Sequence, residues 1–183
     1  MFQKYPRLAR DLSRSLGKDI ELVISGEETE IDRGMIDDLA DPLVHLVRNA
    51  VDHGVETPDE RKAAGKPAQS IVRLSARQSG DHIEIVIADD GRGMRPDVLR
   101  RKAMEKGLLD LEAASTLDEN ASLHLIFLPG FSTKDEVSSV SGRGVGMDVV
   151  KSNITRLNGR IDIESIPRSE EHTSELQSRG LIS

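Results

Sequence analysis

The stretch Asp41 to Gly54, DPLVHLVRNAVDHG, reads as a helix with two unlike sides. Asp41 can cap free N–H groups and Pro42 is tolerated in a first turn, so the pair predicts a helix start, just after an earlier helix over Ile31 to Ala40. Gly54 closes it. At about 100° per residue, Leu39, Leu43, Leu46, Val47, Ala50 and Val51 gather on one side. His45, Arg48, Asn49, Asp52 and His53 fall on the other. An ordinary solvated face is built from Glu and Lys. This one mixes two imidazoles, a guanidinium, an amide and a carboxylate, which suits a metal–phosphate group, and Asn49 offers the neutral hard oxygen that Mg²⁺ accepts. Taken alone, the same face can equally be a solvated one.

Upstream, Met1 to Leu16 sets Phe2, Leu8, Leu12 and Leu16 among basic residues and predicts a helix that Gly17 stops. Ile20 to Ser25 predicts a short strand. Downstream, Glu56 to Gln69, with Pro58, Gly65 and Pro67, predicts a loop holding at most a helical turn. Ile71 to Gln78 and His82 to Ala88 predict two strands joined by Ser79-Gly80-Asp81; Ile83, Ile85 and Ile87 alternate with Glu84, Val86 and Ala88. Pro96 to Lys106 predicts a helix closed by Gly107. Thr116 to Val140 is polar and poorly periodic apart from Leu-Ile-Phe-Leu at 125–128, and predicts a long mobile loop of the functional kind. Met147 to Leu157 predicts a helix ended by Asn158-Gly159, and Arg160 to Ile166 a last strand.

Two glycine-rich turns join the polar helix face. Asp89-Asp90-Gly91-Arg92-Gly93 follows a strand, where glycines let backbone approach a flat ligand and a carboxylate can accept from an amino group. Gly142-Arg143-Gly144-Val145-Gly146 opens a helix, where unpaired N–H groups and the positive end of the helix dipole can cradle phosphate. It is neither the GxxxxGK[ST] loop nor the dinucleotide fingerprint. Singly, the first is as well explained by an ordinary turn and the second by a hinge.

The chain has 183 residues and a formal net charge of −7, enough for one domain with a real core and a poor match to a duplex-binding surface. There is no cysteine, which removes disulfides, zinc–thiolate sites and thiol catalysis and agrees with a reducing cytoplasm. No apolar run approaches the ~20 residues of a membrane span, and the opening residues lack the apolar core of a signal peptide, so a soluble domain without membrane insertion is expected.

Asn on a helix, then DxGxG, then GxGxG opening a helix is an order that resembles the ATP-binding pattern shared by histidine kinases, gyrase B and MutL. Longer strings narrow it. HLVRNAVDHGVETPDERKAAGKP (45–67), DDGRGM (89–94) and PGFSTKDEVSSVSGRGVGMDVV (129–150) resemble the catalytic domain of CheA-type chemotaxis histidine kinases, over about Phe2 to Pro167. The resemblance implies a two-layer α/β sandwich of the Bergerat type, a mixed sheet covered on one face by helices. It implies ATP and Mg²⁺ as cofactors, with Asn49 as the metal ligand and His45 at the γ-phosphate. Arg48 and His53 would complete the catalytic set. Asp89 would accept from the adenine amino group. The remaining nucleotide contacts it implies are Asp52, Gly91, Gly93, Met94, Phe131, Ser132, Thr133, Lys134, Gly142, Arg143, Gly144, Val145, Gly146 and Met147. Phe127 and Phe131 correspond to lid phenylalanines, a role compatible with plain apolar packing.

The implied activity is transfer of the γ-phosphoryl of Mg–ATP to a histidine on a separate histidine-containing phosphotransfer domain. The implied wider setting, in the cytoplasm, is a dimerisation domain, a receptor-coupling module, a coupling protein, chemoreceptors and response regulators, with no nucleic acid. Residues 1–17 (KYPRLARDLSRSLGK at 4–18) resemble the end of a dimerisation helix, and 18–167 the kinase domain. Arg168 to Ser178, RSEEHTSELQS, resembles a translated sequencing-library adapter. Residues 168–183 are therefore expected to be a non-native tail where the family's last strand belongs, and the isolated chain to be a monomer without its acceptor histidine. An ATP-driven clamp of the gyrase B or MutL kind and a nucleotide-binding pseudokinase module stay open as rivals.

Overall fold

Burial alternates along the strands, and that alternation sets the layers. A computed structural model of the chain describes residues 2–131, 146–165 and 178–182. Strand β1 (Ile20–Ser25) runs parallel to β2 (Ser70–Ser79), with Ile20 opposite Ser70. Strand β3 (His82–Asp89) returns antiparallel to β2, Ser79 opposite His82, through a turn in which Gly80 takes φ +64°. On β2 the side chains of Val72, Leu74 and Ala76 are buried while Arg73 and Arg77 are exposed, so one face of the sheet meets a helical layer. The expected two-layer α/β sandwich with a mixed sheet is what forms.

The parallel β1–β2 pair needs a crossover, and the long helix α2 (Arg33–Asn49) supplies it. The predicted break at Asp41-Pro42 does not occur. Asp32 caps the helix instead, accepting from Gly34 N at 2.8 Å, and Pro42 lies buried in the helix interior. Pro in that position costs roughly 3 kcal/mol. Leu39, Leu43 and Val47 bury a continuous face on both sides of it, which offsets the cost. A π-turn follows over Ala50–Gly54, closed by Val55 N donating to Ala50 O at 3.0 Å. Helix α1 (Tyr5–Leu16), ended by Gly17 at φ 63°, packs beside α2 and buries Tyr5 and Ala9. Burial and the nearby Asp41 push the Tyr5 hydroxyl up to about 12.

The segment read as a loop from Glu56 contains a helix, α3 (Pro58–Ala63), opened by a capping box between Thr57 and Glu60. After α4 (Pro96–Glu105), the first part of the predicted mobile loop is also ordered. Helices α5 (Leu111–Thr116) and α6 (Glu119–Leu123) are capped by Asp110 and Asp118, and a 3-10 turn spans His124–Phe127. Helices this short show no helical period, so their apolar residues look scattered in sequence. The rest of that predicted loop, 132–140, lies outside the described residues. Helix α7 (Met147–Arg156) buries Met147, Val150 and Ile154, and Asn158 at φ 58° ends the turn after it.

The sheet has the order β1-β2-β3-β5-β4, where β4 is Ile161–Glu164 and β5 is Ser178–Ile182. This corrects the expectation that the last strand is missing. Strand β5 pairs antiparallel with both neighbours: Ile85 and Ile161 flank Ile182, and Ala88 and Glu164 flank Arg179. The facing edges of β3 and β4 carry main-chain donors and acceptors that any extended segment can satisfy, so pairing here is tolerant of sequence. Among the described residues no helix is long and apolar enough to cross a membrane.

Candidate nucleotide site

A cavity of about 350 Å³ opens between the C-terminal part of α2, the end of β3, α4, the 124–131 segment, the start of α7 and β4. That is the size range of small-molecule sites. Of the residues expected at a nucleotide, it brings together Asn49, His53, Asp89, Gly93, Met94, Phe131 and Met147. Leu46, Ala50, Ile87, Leu99 and Phe127 make much of the remaining wall apolar.

On α2 the lining residues are Leu46, Asn49 and Ala50, continued by His53 and Gly54 of the π-turn. This stripe lies on the border between the two sides of the helix, so the cavity takes one half of each. His45, Arg48 and Asp52, from the centre of the polar side, are half-buried but do not line it. His53 Nε2 stands 3.8 Å from Asp52 Oδ2. The π-turn is pinned from outside by Lys18, whose Nζ donates to Val51 O at 2.8 Å and to Asp52 O.

Asn49 Nδ2 donates to Met147 Sδ at 3.0 Å, tying the end of α2 to the first turn of α7. With the amide nitrogen so engaged, Oδ1 is the atom the residue offers to a cation. Among the described residues no group of three or more His, Cys, Asp or Glu could hold a metal. One neutral oxygen ligand fits Mg²⁺ arriving with phosphates and water, and does not fit a caged metal. Gly146 caps α7 at φ −91°, ψ 173°, extended backbone open to any residue. Ser132, Thr133, Lys134, Gly142, Arg143, Gly144 and Val145 lie outside the described residues.

Asp89 ends β3 at the cavity wall. Its Oδ1 accepts from Gly91 N at 3.0 Å. Burial pushes its carboxyl up to about 6; the Gly91 N–H opposes this, Asp90 and Glu56 add to it, and Lys66 pulls it back. Gly91 of this turn does not line the cavity, and its bareness has a steric use that the sequence does not show. A Cβ on Gly91 would stand 1.9 Å from Gly54 O and 2.8 Å from Asp89 Oδ1. Its bareness therefore admits the end of the π-turn, which Arg92 N then holds by donating to Gly54 O at 2.9 Å. Gly54 is equally constrained, since its Cβ would meet the Asp89 carboxylate at 2.9 Å. Gly93, at φ 70°, serves the turn itself.

Gly54 and Lys102 are site residues that the sequence did not single out. Gly54 looked like a helix stop. Lys102 lines the cavity from α4, with its Nζ 5.2 Å from the Phe131 ring centre, and Lys106 Nζ donates to Phe131 O at 2.5 Å. In sequence Lys102 is one of a run of basic residues on an amphipathic helix, with nothing to mark it.

A model of the histidine kinase-, DNA gyrase B-, and HSP90-like ATPase family matches residues 38–178. The sensor histidine kinase CheAY of Helicobacter pylori is 53% identical over 165 residues, which cover 90% of this chain and 20% of that protein. The chemotaxis protein CheA of Bacillus subtilis is 47% identical over 90% of this chain and 25% of its own length. A gliding motility regulatory protein of Myxococcus xanthus is likewise 47% identical, over 90% of this chain and 21% of its own. The chain thus spans about a fifth to a quarter of the curated relatives it matches. Among solved structures, the histidine kinase domain of the blue-light activated kinase EL346 of Erythrobacter litoralis shares the fold. Its TM-score is 0.50 at 12% identity, over 96% of this chain and 60% of that one. With its fold and its sequence in agreement, the chain belongs to the histidine kinase-, DNA gyrase B- and HSP90-like ATPase family and resembles, within it, the ATP-binding domain of CheA-type chemotaxis kinases.

Proposed function

We propose that this domain binds Mg–ATP in the described cavity and passes the γ-phosphoryl group to a histidine on a separate phosphotransfer domain. The observation that carries the reading is that one cavity has Asp89 on one wall and Asn49, tied to the N-terminal turn of α7, on another. Asp89 accepts from the adenine amino group, and the apolar wall of Ile87, Leu99 and Phe127 receives the base. Asn49 Oδ1 holds Mg²⁺, which supplies charge neutralisation at the phosphates when bound. Lys102 and the positive end of α7 face the same space and favour anionic groups there. Transfer needs little covalent work from the protein, because a neutral imidazole has a free lone pair; the domain positions phosphorus and balances charge.

The acceptor, a dimerisation domain, a receptor-coupling module, a coupling protein, chemoreceptors and response regulators are the partners this reading implies for the whole protein. It implies a cytoplasmic setting, no nucleic acid, and residues 1–17 as the end of a dimerisation helix. Residues 168–183 are read as non-native even though part of them pairs in the sheet. The relatives include both chemotaxis and gliding-motility proteins, so the motile output stays general. The test is radiolabelled Mg–ATP with this chain, alone and with an added histidine-containing acceptor domain. The expected result is no labelling of the chain itself and slow labelling of the acceptor, limited by low effective concentration. Steady hydrolysis with nucleotide-dependent dimerisation and no acceptor labelling would instead identify a conformational clamp.

A further inference from the structure

The polar connection between the π-turn and β2 buries its charges. Arg61 is 1% exposed and Glu56 8%. Arg61 donates to Glu56 Oε2 at 3.2 Å, to Asp90 Oδ2 at 2.9 Å and to Pro67 O at 2.7 Å. Lys66 Nζ donates to Glu56 Oε1 at 2.6 Å, and also to the backbone carbonyls of Asp90 at 3.1 Å and Gly91 at 2.7 Å. The Asp90 carboxylate further accepts from Ile71 N at 3.1 Å and from the Ser70 hydroxyl. None of Glu56, Arg61, Lys66 and Asp90 lines the cavity.

Desolvating charges is costly even when they are paired, and a solvated loop could make the same connection. What the network grips is specific: the Asp90–Gly91 backbone, whose Gly91 N–H holds Asp89 Oδ1 at 3.0 Å. Asp90 is thereby tied to β2 on one side and to α3 on the other.

We propose that Glu56, Arg61 and Lys66 are positioning residues for Asp89: by clamping the Asp90–Gly91 backbone they fix the carboxylate that reads the base, without touching the nucleotide themselves. This rests on Asp89 as the adenine acceptor. Their charges also act on it directly. Glu56 and Asp90 favour its protonated form and Lys66 its ionised form. On the cavity side His53, Lys102 and Asp162 share the space with it, and none of these changes in the variants below.

The test follows the Asp89 carboxyl by carbon NMR titration in the full chain, in wild type, Lys66→Met and Glu56→Gln, alongside ADP affinity by calorimetry. Lys66→Met is expected to raise the Asp89 midpoint and to weaken ADP about tenfold at neutral pH, with Lys66→Arg restoring most of the affinity. Glu56→Gln is expected to lower the midpoint. Because loss of a charge by itself shifts the midpoint, the clamp is read from hydrogen exchange of the Gly91 amide in the same variants: faster exchange in the folded variants supports it, and exchange as slow as in wild type, with only the midpoint or the melting temperature changed, overturns it. Should Lys66→Met fail to fold, Glu56→Gln decides alone, faster Gly91 exchange supporting the proposal and unchanged exchange overturning it. If Gly91 exchange quickens as expected but ADP binds not even to wild type, the adenine role of Asp89 fails and the clamping of its carboxylate stands.

Discussion

Adenine recognition by Asp89 should switch on with rising pH across a range where most carboxylates are already ionised. Burial holds this carboxyl up at about 6. An amino group can donate to it fully only when it is ionised. One unit below that value about one-tenth of the molecules carry the ionised form, and one unit above it about nine-tenths. ADP measured without metal should therefore bind about tenfold more tightly at pH 7 than at pH 5 through this group alone. The stability of the unliganded domain runs the other way. The folded state holds this proton more tightly than the unfolded chain does. Its contribution is favourable below the ordinary carboxylate value of 3.8 and is lost as pH rises through about 6. The loss amounts to about 3 kcal/mol above that range. Bound adenine favours the ionised form and so draws the carboxyl back down. The assay is calorimetry of ADP at intervals from pH 5 to 7.5, on wild type and Asp89→Asn. The amide does not titrate, so subtracting its curve removes the phosphates' own protonation. Parallel curves for the two proteins, or an NMR midpoint for Asp89 in the ordinary carboxylate range, would refute the link between burial and recognition.

Asn49→Ala should abolish phosphotransfer to an added acceptor domain while circular dichroism stays unchanged; near-wild-type turnover would remove the metal-ligand role. Gly91→Ala places a Cβ 1.9 Å from Gly54 O, so it should lower the melting temperature and weaken ADP binding together, whereas a glycine needed only for ligand approach would leave stability untouched. Replacing 168–183 with a strand of alternating apolar residues, as in a native sheet edge, should raise the melting temperature. An unchanged or lower value would show that Ser178–Ile182 already suits its place between β3 and β4.

Much of the fold was legible because the residues that decide it repeat. The apolar side of α2 shows in Leu39, Leu43 and Val47, and the β2–β3 hairpin in its alternation around Gly80. The failures are places where no repeat is long enough or where the deciding partner is remote in sequence. Pro42 reads as a start signal because its local chemistry is that of a first turn; only the burial of the face it interrupts keeps α2 continuous. Helices α5 and α6 are too short to show a period, and only Asp110 and Asp118 hint at them. Strand β5 is invisible for a different reason, since main-chain pairing between two open edges asks almost nothing of the side chains.

The site divides in the same way, and its division says what each motif is for. Asn49 and Asp89 were singled out because the order of their motifs resembles a known ATP-binding pattern, which implies an oxygen for a cation at the one and an acceptor for an amino group at the other. Their surroundings were not, because these residues act by what they permit. Glycine at 54 and at 91 is required by the mutual approach of the π-turn and the turn after β3, 37 residues apart in the numbering. Neither spacing nor composition records that contact. The same applies to Arg61 and Lys66, which sit in a stretch of Asp, Glu, Arg and Lys that looks solvated, yet form a buried bracket around Asp90. The second aspartate of the DD pair thus belongs to the bracket and the first to the cavity. Exchanging their surroundings would leave the motif intact in sequence and lost in structure, because of the two only Asp89 accepts from the Gly91 N–H and lines the cavity.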